Sequence, residues 1–451
     1  MNQKSITEGS ILKTLIVFAF PFLIANILQS LYGAVDLFVV GRYCSPESVA
    51  AVSTGTQVTQ IVTSLVTGLT LGGTILIAEY TGSRRLDMVK KAIGTTLTVF
   101  FIVAVIISIL MIVFERPLLT ILGTPKESFD LTMQYVLICA AGTVFVCGYN
   151  AISSILRGYG DSKRPMYFVL ISCILNIFLD FVFVKYCGLG VAGTALATIL
   201  SQGTSMVIAV VYLKKQDFIF DFKPASLKPD LFLVKRLGKL GIPISFQELM
   251  VRISFLYLMV VMNRCGVYAA AVVGISSKYD VFAMLTGTSI ASALAAITAQ
   301  NIGAGKPERA RKSLWYGLSF TVIVSSAFWL WAQIAPETMI GLFSKDVHII
   351  EAGTAFFHYC SYDYILISIV FILNGYLNGC QKTVWTMISS TAGALLRIPL
   401  VWYFGTHFAG NIGRLGIIAP TVSGIMAVYT FGYVLLETKK SKKNTTFPKS
   451  S

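Results

Sequence analysis

Long apolar segments separated by short polar connections follow one another along nearly the whole chain. Segments 15–40, 92–113 and 314–334 each approach or exceed the roughly 20 residues that a helix needs to cross a bilayer core. Backbone polar groups cannot stay unpaired in lipid, so runs of this length are expected to be helices. The pattern therefore predicts twelve membrane-spanning helices, at 12–40, 47–80, 91–114, 129–156, 163–185, 190–213, 237–262, 267–300, 308–334, 347–378, 383–405 and 412–437.

Composition agrees with a membrane protein and excludes a soluble one. Of the 451 residues, 55% are hydrophobic and 13% are charged, against roughly 25% charged in a soluble domain. The longest connection, about 214–239, is too short to be a soluble domain. The predicted fold class is an all-α polytopic membrane protein with twelve transmembrane helices in two pseudo-symmetric six-helix lobes.

The net charge of +15 is explained by where the basic residues lie. Of the 36 Lys and Arg, 26 fall on the side that carries both termini and seven on the other side. The remaining three, Arg252, Lys278 and Arg397, fall within predicted helices. Basic residues favour the cytoplasmic side, so both termini are expected inside the cell membrane, and nucleic-acid binding is not needed to explain the charge.

The chain contains an internal repeat. Pro21 in the first span matches Pro243 in the seventh, 222 residues later, and Ala78-Glu-Tyr-Thr-Gly82 matches Ala299-Gln-Asn-Ile-Gly303, 221 residues later. The same offset of 221 relates Gly158 to Gly379 and Met166 to Met387. An even number of helices per half gives both halves the same orientation, an arrangement that suits movement of one half against the other around a central cleft.

The repeat sets the expected domains. They are an N-terminal lobe at 1–213, a cytoplasmic linker at 214–236, a C-terminal lobe at 237–437 and a basic cytoplasmic tail at 438–451.

Ionisable groups inside spans are costly and indicate function. Asp36 lies in the first span, fifteen residues after Pro21, whose missing N–H bends a helix. Asn176 and Asp180 share one face of the fifth span, and Thr194 and Thr198 are also four residues apart in the sixth. Carboxylate, amide and hydroxyl oxygens suit a proton or a small hard cation such as sodium. The alternatives are a static kink and a purely structural hydrogen-bond cluster.

The second half carries a different set. Glu248 and Arg252 are four residues apart, so they form either a neutralised pair or part of a site. Lys278 and Asp280 are two apart and do not face each other on a helix. Asp363 lies among Tyr359, Tyr362 and Tyr364, which could hold an organic cation or simply pack.

No pattern indicates catalysis. The sequence has no G-x-x-x-x-G-K-[ST] loop, and its three histidines are isolated. The eight cysteines are scattered without a C-x-x-C and are expected to be small buried hydrophobes. The chain is therefore expected not to be an enzyme and to need no cofactor.

Several segments carry a family resemblance. Pro21, the run Asp36-Leu-Phe-Val-Val-Gly41-Arg42 and Ala50-Ala-Val-Ser53 resemble the first two helices of multidrug and toxic compound extrusion (MATE) transporters. Segments 157–162, 188–195 and 299–305 are similar to further parts of the family, and the likeness spans about residues 8–436.

The resemblance implies a two-lobe antiporter that exports drugs or other organic compounds in exchange for protons or sodium. In the branch that resembles DNA-damage-inducible protein F it implies a cation site at Asp36, Asn176, Asp180 and Thr198, with Pro21 as the bending proline and Tyr32 one turn before Asp36. Another branch places acids in the seventh and tenth helices. Glu248 and Asp363 lie in those helices but not at the family's positions, which leaves a second cation site open.

At the repeat offset, Asp36 falls on Leu258, Asn176 on Arg397 and Asp180 on Val401, so the scaffold is duplicated but its ionisable sites are not. The first half is thus expected to hold the cation. The residues expected to shape the substrate cavity are Tyr32, Glu248, Arg252, Lys278, Asp280, Asp363 and Arg397. The expected partners are membrane lipid and a small organic, cationic or amphipathic substrate, and the expected state is a monomer. The rival hypotheses are a lipid-linked oligosaccharide flippase and a non-transporting scaffold or receptor.

Overall fold

In a computed structural model, which describes residues 6–216, 218–408 and 411–445, twelve helices are long and apolar enough to cross a membrane. The twelve-span, all-helical prediction is confirmed. The spans are α1 (Ile11–Tyr43), α2 (Pro46–Gly82), α3 (Leu86–Ile121), α4 (Lys126–Tyr159), α5 (Lys163–Tyr186), α6 (Gly190–Lys215), α7 (Leu231–Arg264), α8 (Val267–Gly303), α9 (Pro307–Ile334), α10 (Val347–Gly379), α11 (Thr383–His407) and α12 (Ile412–Glu437).

Span α10 differs from the single helix that the sequence predicts. It consists of two helices, Val347–Cys360 and Tyr362–Gly379, with a break at Ser361. The Gln333 side chain of α9 donates hydrogen bonds to His358 O (2.8 Å) and to Ser361 Oγ (2.9 Å). A side chain that enters the backbone ladder in this way is a common cause of a broken helix.

The segment between α6 and α7 is shorter than the predicted linker, because α6 continues to Lys215 and α7 begins at Leu231. It contains a short 3-10 helix, Pro224–Leu227. At the other end, the last helix runs from Ile418 to Thr445 and so continues into the predicted tail. Residues 446–451 of that tail lie outside the described residues.

The chain divides into two compact units. For the described residues, unit 1 comprises those within 1–8, 17–245 and 299–305, and unit 2 comprises those within 9–16, 246–298 and 306–451. Unit 1 thus includes the first turns of α7, and unit 2 includes the first turns of α1. The predicted lobe boundaries stay a prediction.

The internal repeat is visible as a repeated packing contact. In unit 1, a Cβ built on Gly158 of α4 would lie 2.7 Å from the carbonyl oxygen of Thr74 in α2. In unit 2, a Cβ on Gly379 would lie 2.6 Å from the carbonyl oxygen of Ala295 in α8. Both residues of the second contact lie 221 positions after those of the first. Glycine is needed at both positions because the neighbouring backbone leaves no room for a side chain.

Span α3 has one surface that suits contact with lipid and another that packs on neighbouring helices. Its large apolar side chains are half or more exposed along one face, including Phe101, Ile106, Ile109 and Phe114. Exposure of this kind suits a helix face that lies against lipid, while the opposite face packs on α2 and α4.

Candidate functional site

Three helices of unit 1 bring together the four residues that the sequence predicts as a cation site. Asp36 comes from α1, Asn176 and Asp180 from α5, and Thr198 from α6. Asp36, Asn176 and Asp180 are buried, and Thr198 is half-buried. The four-residue spacing of Asn176 and Asp180 puts both side chains on the face of α5 that meets α1 and α6.

Long hydrogen bonds connect this cluster. Asn176 Nδ2 lies 3.4 Å from Asp36 Oδ1 and 3.5 Å from Thr198 Oγ1, and Thr198 Oγ1 lies 3.4 Å from Asp36 Oδ2. These distances are at the upper limit for hydrogen bonds, so the groups are neighbours without being tightly bound to one another. The Asp180 carboxyl group lies next to that of Asp36.

Three buried oxygens of the cluster accept no hydrogen bond from the described residues: Asn176 Oδ1 and both carboxyl oxygens of Asp180. Buried polar atoms normally have a partner, and a lone buried charge is costly. The donor set of two carboxylates, one amide and one hydroxyl therefore fits a proton or a small hard cation. Among the described residues, no group of three or more His, Cys, Asp or Glu is placed to hold a metal ion.

The backbone of α5 changes its winding at this point. A π-helical turn, Phe181–Tyr186, follows directly after Asp180. Single π-helical turns inside helices are frequent at functional sites, because the wider turn redirects the side chains beside it.

Tyr32, expected in the substrate cavity, is buried one turn before Asp36. Its hydroxyl donates a hydrogen bond to Ser172 Oγ of α5. Tyr32 therefore links α1 to α5 and lies beside the cation cluster. The Tyr135 and Cys139 side chains of α4 are also close to Asp36. The sequence does not indicate these two residues, since neither a lone Tyr nor a lone Cys in an apolar span is distinctive.

Pro21 is buried inside α1, which continues as a helix on both sides of it. Next to it, the ring of Phe22 packs under the Arg157 guanidinium of α4, at 4.3 Å from the ring centroid. The Arg157 Nε is buried and has no hydrogen-bond partner among the described residues. The aromatic face thus supplies part of the stabilisation of this cation.

Unit 2 contains a second polar cluster, formed by the half-buried Asp280 of α8 and the buried Asp363 of α10 and Arg397 of α11. Arg397 interacts electrostatically with both carboxyl groups, and its guanidinium lies over the ring of Phe255 at 4.4 Å. Asp363 and Arg397 are each 5% exposed, which excludes a simple surface ion pair. The sequence proposed all three as cavity residues without indicating that they meet.

The other cavity candidates of unit 2 are Glu248, Arg252 and Lys278. Glu248 is half-buried on α7 and interacts with Arg252 one turn later, where Arg252 is exposed on its helix. The two groups are thus within electrostatic reach of each other, and their role as a neutralised pair or as part of a site stays a prediction. Lys278 is exposed on α8.

Comparison with known proteins gives the family. The MatE family model matches the chain twice, at residues 21–182 and 243–403, and the two matches together cover most of the chain. The chain is 25% identical over 450 residues to the probable multidrug resistance protein YoeA of Bacillus subtilis, covering 98% of this chain and 97% of that protein.

Solved structures agree on the fold. A MATE transporter crystallised in a bent conformation superposes with a TM-score of 0.92 at 22% identity, over 99% of this chain and 100% of that one. A MOP superfamily transporter from Pyrococcus furiosus, described as having a binding pocket of reverse polarity, superposes with a TM-score of 0.90 at 22% identity, over 98% and 99% of the two chains.

The repeated twelve-span fold and these matches define a multi-pass membrane transporter rather than an enzyme. The chain belongs to the MatE family.

Proposed function

We propose that this transporter exports drugs or other small organic compounds across the cell membrane in exchange for a proton or sodium ion, by alternating access. The observation that carries the proposal is the buried cluster of Asp36, Asn176, Asp180 and Thr198, whose oxygens are held within reach of one another. A membrane scaffold or receptor has no need for two adjacent carboxyl groups at this depth.

The cluster supplies a coupling step. With both carboxyl groups ionised, Asp36 and Asp180 repel each other in surroundings of low dielectric constant. A proton or sodium ion between them removes that repulsion and draws α1 towards α5 and α6. Asp36 lies on the same helix as Pro21, where the backbone ladder lacks one hydrogen bond, so a change at Asp36 is able to alter the shape of α1.

The free energy available is sufficient for export. One charge that moves down a potential of 100 mV supplies about 2.3 kcal/mol. That amount sustains a concentration gradient of roughly fifty-fold for a neutral exchange partner.

The substrate class follows from the relatives and from unit 2. YoeA is described as a probable multidrug resistance protein, which supports small organic substrates. In unit 2 the Asp280, Asp363 and Arg397 cluster has two acidic groups and one basic group. It therefore has an acidic balance that suits a cationic or amphipathic compound.

The same balance argues against the oligosaccharide flippase alternative. A cavity for a pyrophosphate-linked substrate needs uncompensated basic groups. Arg397 lies beside Asp363 and Asp280, and Arg252 lies beside Glu248, so two of the three in-span bases have acidic neighbours.

Efflux from proteoliposomes tests the proposal. The purified chain would be reconstituted and loaded with ethidium, and a pH gradient or a sodium gradient would be applied, one at a time. We expect one gradient to drive efflux, and we expect Asp36→Asn and Asp180→Asn each to reduce the driven rate at least tenfold. Asp130→Asn, at an exposed position of α4, is the matched control and should behave like the wild type.

Two results would contradict the proposal. Full gradient-driven efflux by both Asp→Asn variants would remove the coupling role of the cluster. Ethidium movement that ignores both gradients in the wild type would remove antiport itself.

A further inference from the structure

The segment between α6 and α7 forms a groove with the beginning of α3, all within unit 1. The groove has a volume of about 500 Å³, and its lining includes Lys90 and Lys91 of α3 together with Phe220, Asp221, Lys228 and Asp230 of the segment. This cavity, the linker groove, brings basic residues from the start of α3 together with those of the segment that follows α6, which is the most basic connection of the sequence.

The linker groove is built into the fold, because the segment is fastened to α3. Thr98 Oγ1 donates a hydrogen bond to Leu227 O (2.5 Å), and the Asp230 amide donates one to Thr95 Oγ1 (3.1 Å). A Cβ on Gly94 would lie 2.2 Å from Ser226 O, so α3 and the segment touch backbone to backbone. Phe220 of the segment is only 3% exposed, so its buried ring also anchors the segment.

The acidic side chains of the groove already have partners. Asp230 Oδ1 accepts hydrogen bonds from the amides of Phe232 (2.9 Å) and Leu233 (3.3 Å) at the start of α7. Asp221 Oδ1 accepts one from the Lys223 amide (3.2 Å), and its Oδ2 lies 3.9 Å from Lys223 Nζ.

The basic side chains are different. None of the ion pairs within the described residues includes Lys90, Lys91 or Lys228. All three are exposed and line the same cavity. The groove therefore has three ammonium groups that form no ion pair with its two carboxylates, whose oxygens accept hydrogen bonds from backbone amides instead.

The position of the groove relative to the bilayer follows from α3. Thr98, which holds the segment, lies about one helical turn before Phe101 and Ile102, which are 59% and 49% exposed on the lipid-facing surface. The groove is thus at the depth where lipid phosphates lie, on the face that the charge distribution assigns to the cytoplasm.

We propose that the linker groove binds the phosphate of an anionic phospholipid headgroup, which Lys90, Lys91 and Lys228 contact together. An ammonium group is a strong point-charge donor to phosphate. Basic groups at this level are attracted to the anionic lipids of the cytoplasmic leaflet. The bound lipid joins the segment between the halves to α3, in addition to the Thr95 and Thr98 hydrogen bonds.

Native mass spectrometry of the full-length detergent-purified protein tests this proposal. The probes are phosphatidylglycerol, phosphatidylcholine and inorganic phosphate. We expect phosphatidylglycerol to be retained in preference to phosphatidylcholine, and the triple variant Lys90→Gln/Lys91→Gln/Lys228→Gln to weaken its binding about tenfold or more. The control Lys214→Gln/Lys215→Gln/Lys312→Gln removes the same charge at exposed positions outside the groove and should bind like the wild type.

A further variant separates a built groove from diffuse surface charge. Gly94→Ala changes no charge but pushes Ser226 away from α3, so it should also weaken phosphatidylglycerol binding. Unchanged binding by the lysine triple variant, or an equal loss in the control, would overturn the proposal. So would full competition by millimolar inorganic phosphate, because the groove would then take soluble phosphate rather than lipid. Melting temperatures of each variant identify losses that come from unfolding.

Discussion

Gly82 and Gly303 pack against each other's helix in the same way. A Cβ on Gly82 would lie 2.0 Å from the carbonyl oxygen of Gln300, and a Cβ on Gly303 would lie 2.2 Å from the carbonyl oxygen of Glu79. Gln300 and Glu79 each precede the glycine of their own segment by three residues. The matching segments of the sequence repeat are thus joined by a two-fold related contact at the ends of α2 and α8.

Substitution of either glycine should weaken this contact. In Gly82→Ala and Gly303→Ala the added methyl group meets a backbone carbonyl, which costs about 1–3 kcal/mol of stability. We expect the melting temperature of the detergent-purified protein to fall by several degrees in each variant.

Gly274→Ala is the matched control, since it lies in the same helix as Gly303 and a Cβ there meets nothing within 4 Å. It should be neutral or stabilising by up to about 1 kcal/mol, because alanine favours helix. Equal melting temperatures for all three variants would show that the close approach contributes nothing.

Thr198 is expected to tune cation affinity. Thr198→Ala removes a hydroxyl that bonds Asp36 and Asn176, at a cost of about 1 kcal/mol or roughly fivefold in the cation concentration for half-maximal efflux. Thr198→Ser keeps the hydroxyl and should retain the wild-type value. Thr204→Ala, also in α6, loses only a bond to Leu200 O within its own helix and should have no effect. An unchanged half-maximal concentration in Thr198→Ala would place Thr198 outside the site.

The contact between Phe22 and Arg157 should stabilise α1 next to Pro21. A double-mutant cycle with Phe22→Leu and Arg157→Gln isolates their interaction, which we expect to be about 1 kcal/mol in the free energy of unfolding. The same cycle with Phe20→Leu is the control, because Phe20 is 57% exposed and should give no coupling. Equal coupling energies in the two cycles would argue against the cation–π contact.

Membrane sidedness can be read from cysteine labelling. Cys187 is exposed between α5 and α6, on the side that the charge count assigns to the exterior. A membrane-impermeant maleimide should therefore label it in intact cells. In a Cys187→Ser background, Lys223→Cys should be labelled only after the cells are permeabilised. The reverse pattern would mean that the chain is inverted.

The sequence was sufficient for the span count and for the membership of the first cluster. Span count depends on local apolar length, which is fixed by bilayer thickness. Asp36 and Asp180 are acids inside spans, Asn176 and Thr198 follow from four-residue spacing, and the family resemblance joins the four into one site. In the structure, the four meet where α1, α5 and α6 converge.

The rest depends on tertiary contacts that spacing does not encode. The meeting of Asp280, Asp363 and Arg397 requires three helices to converge. The break at Ser361 comes from Gln333, a side chain of another helix, and no Pro or Gly marks it in the sequence. The attachment of the segment before α7 likewise comes from Thr95 and Thr98 of α3, although the alternating Phe218, Phe220 and Phe222 were a usable signal.

The assignment of residues 299–305 to unit 1 has a consequence for biosynthesis. When α6 has been translated, unit 1 still lacks a piece that emerges about 90 residues later, which is roughly 4 to 18 s at ribosomal speed. During that interval Gly82 of the nascent chain has no Gln300 backbone to pack against. The packing of unit 1 therefore cannot be completed until residues 299–305, in the second half of the chain, have been translated.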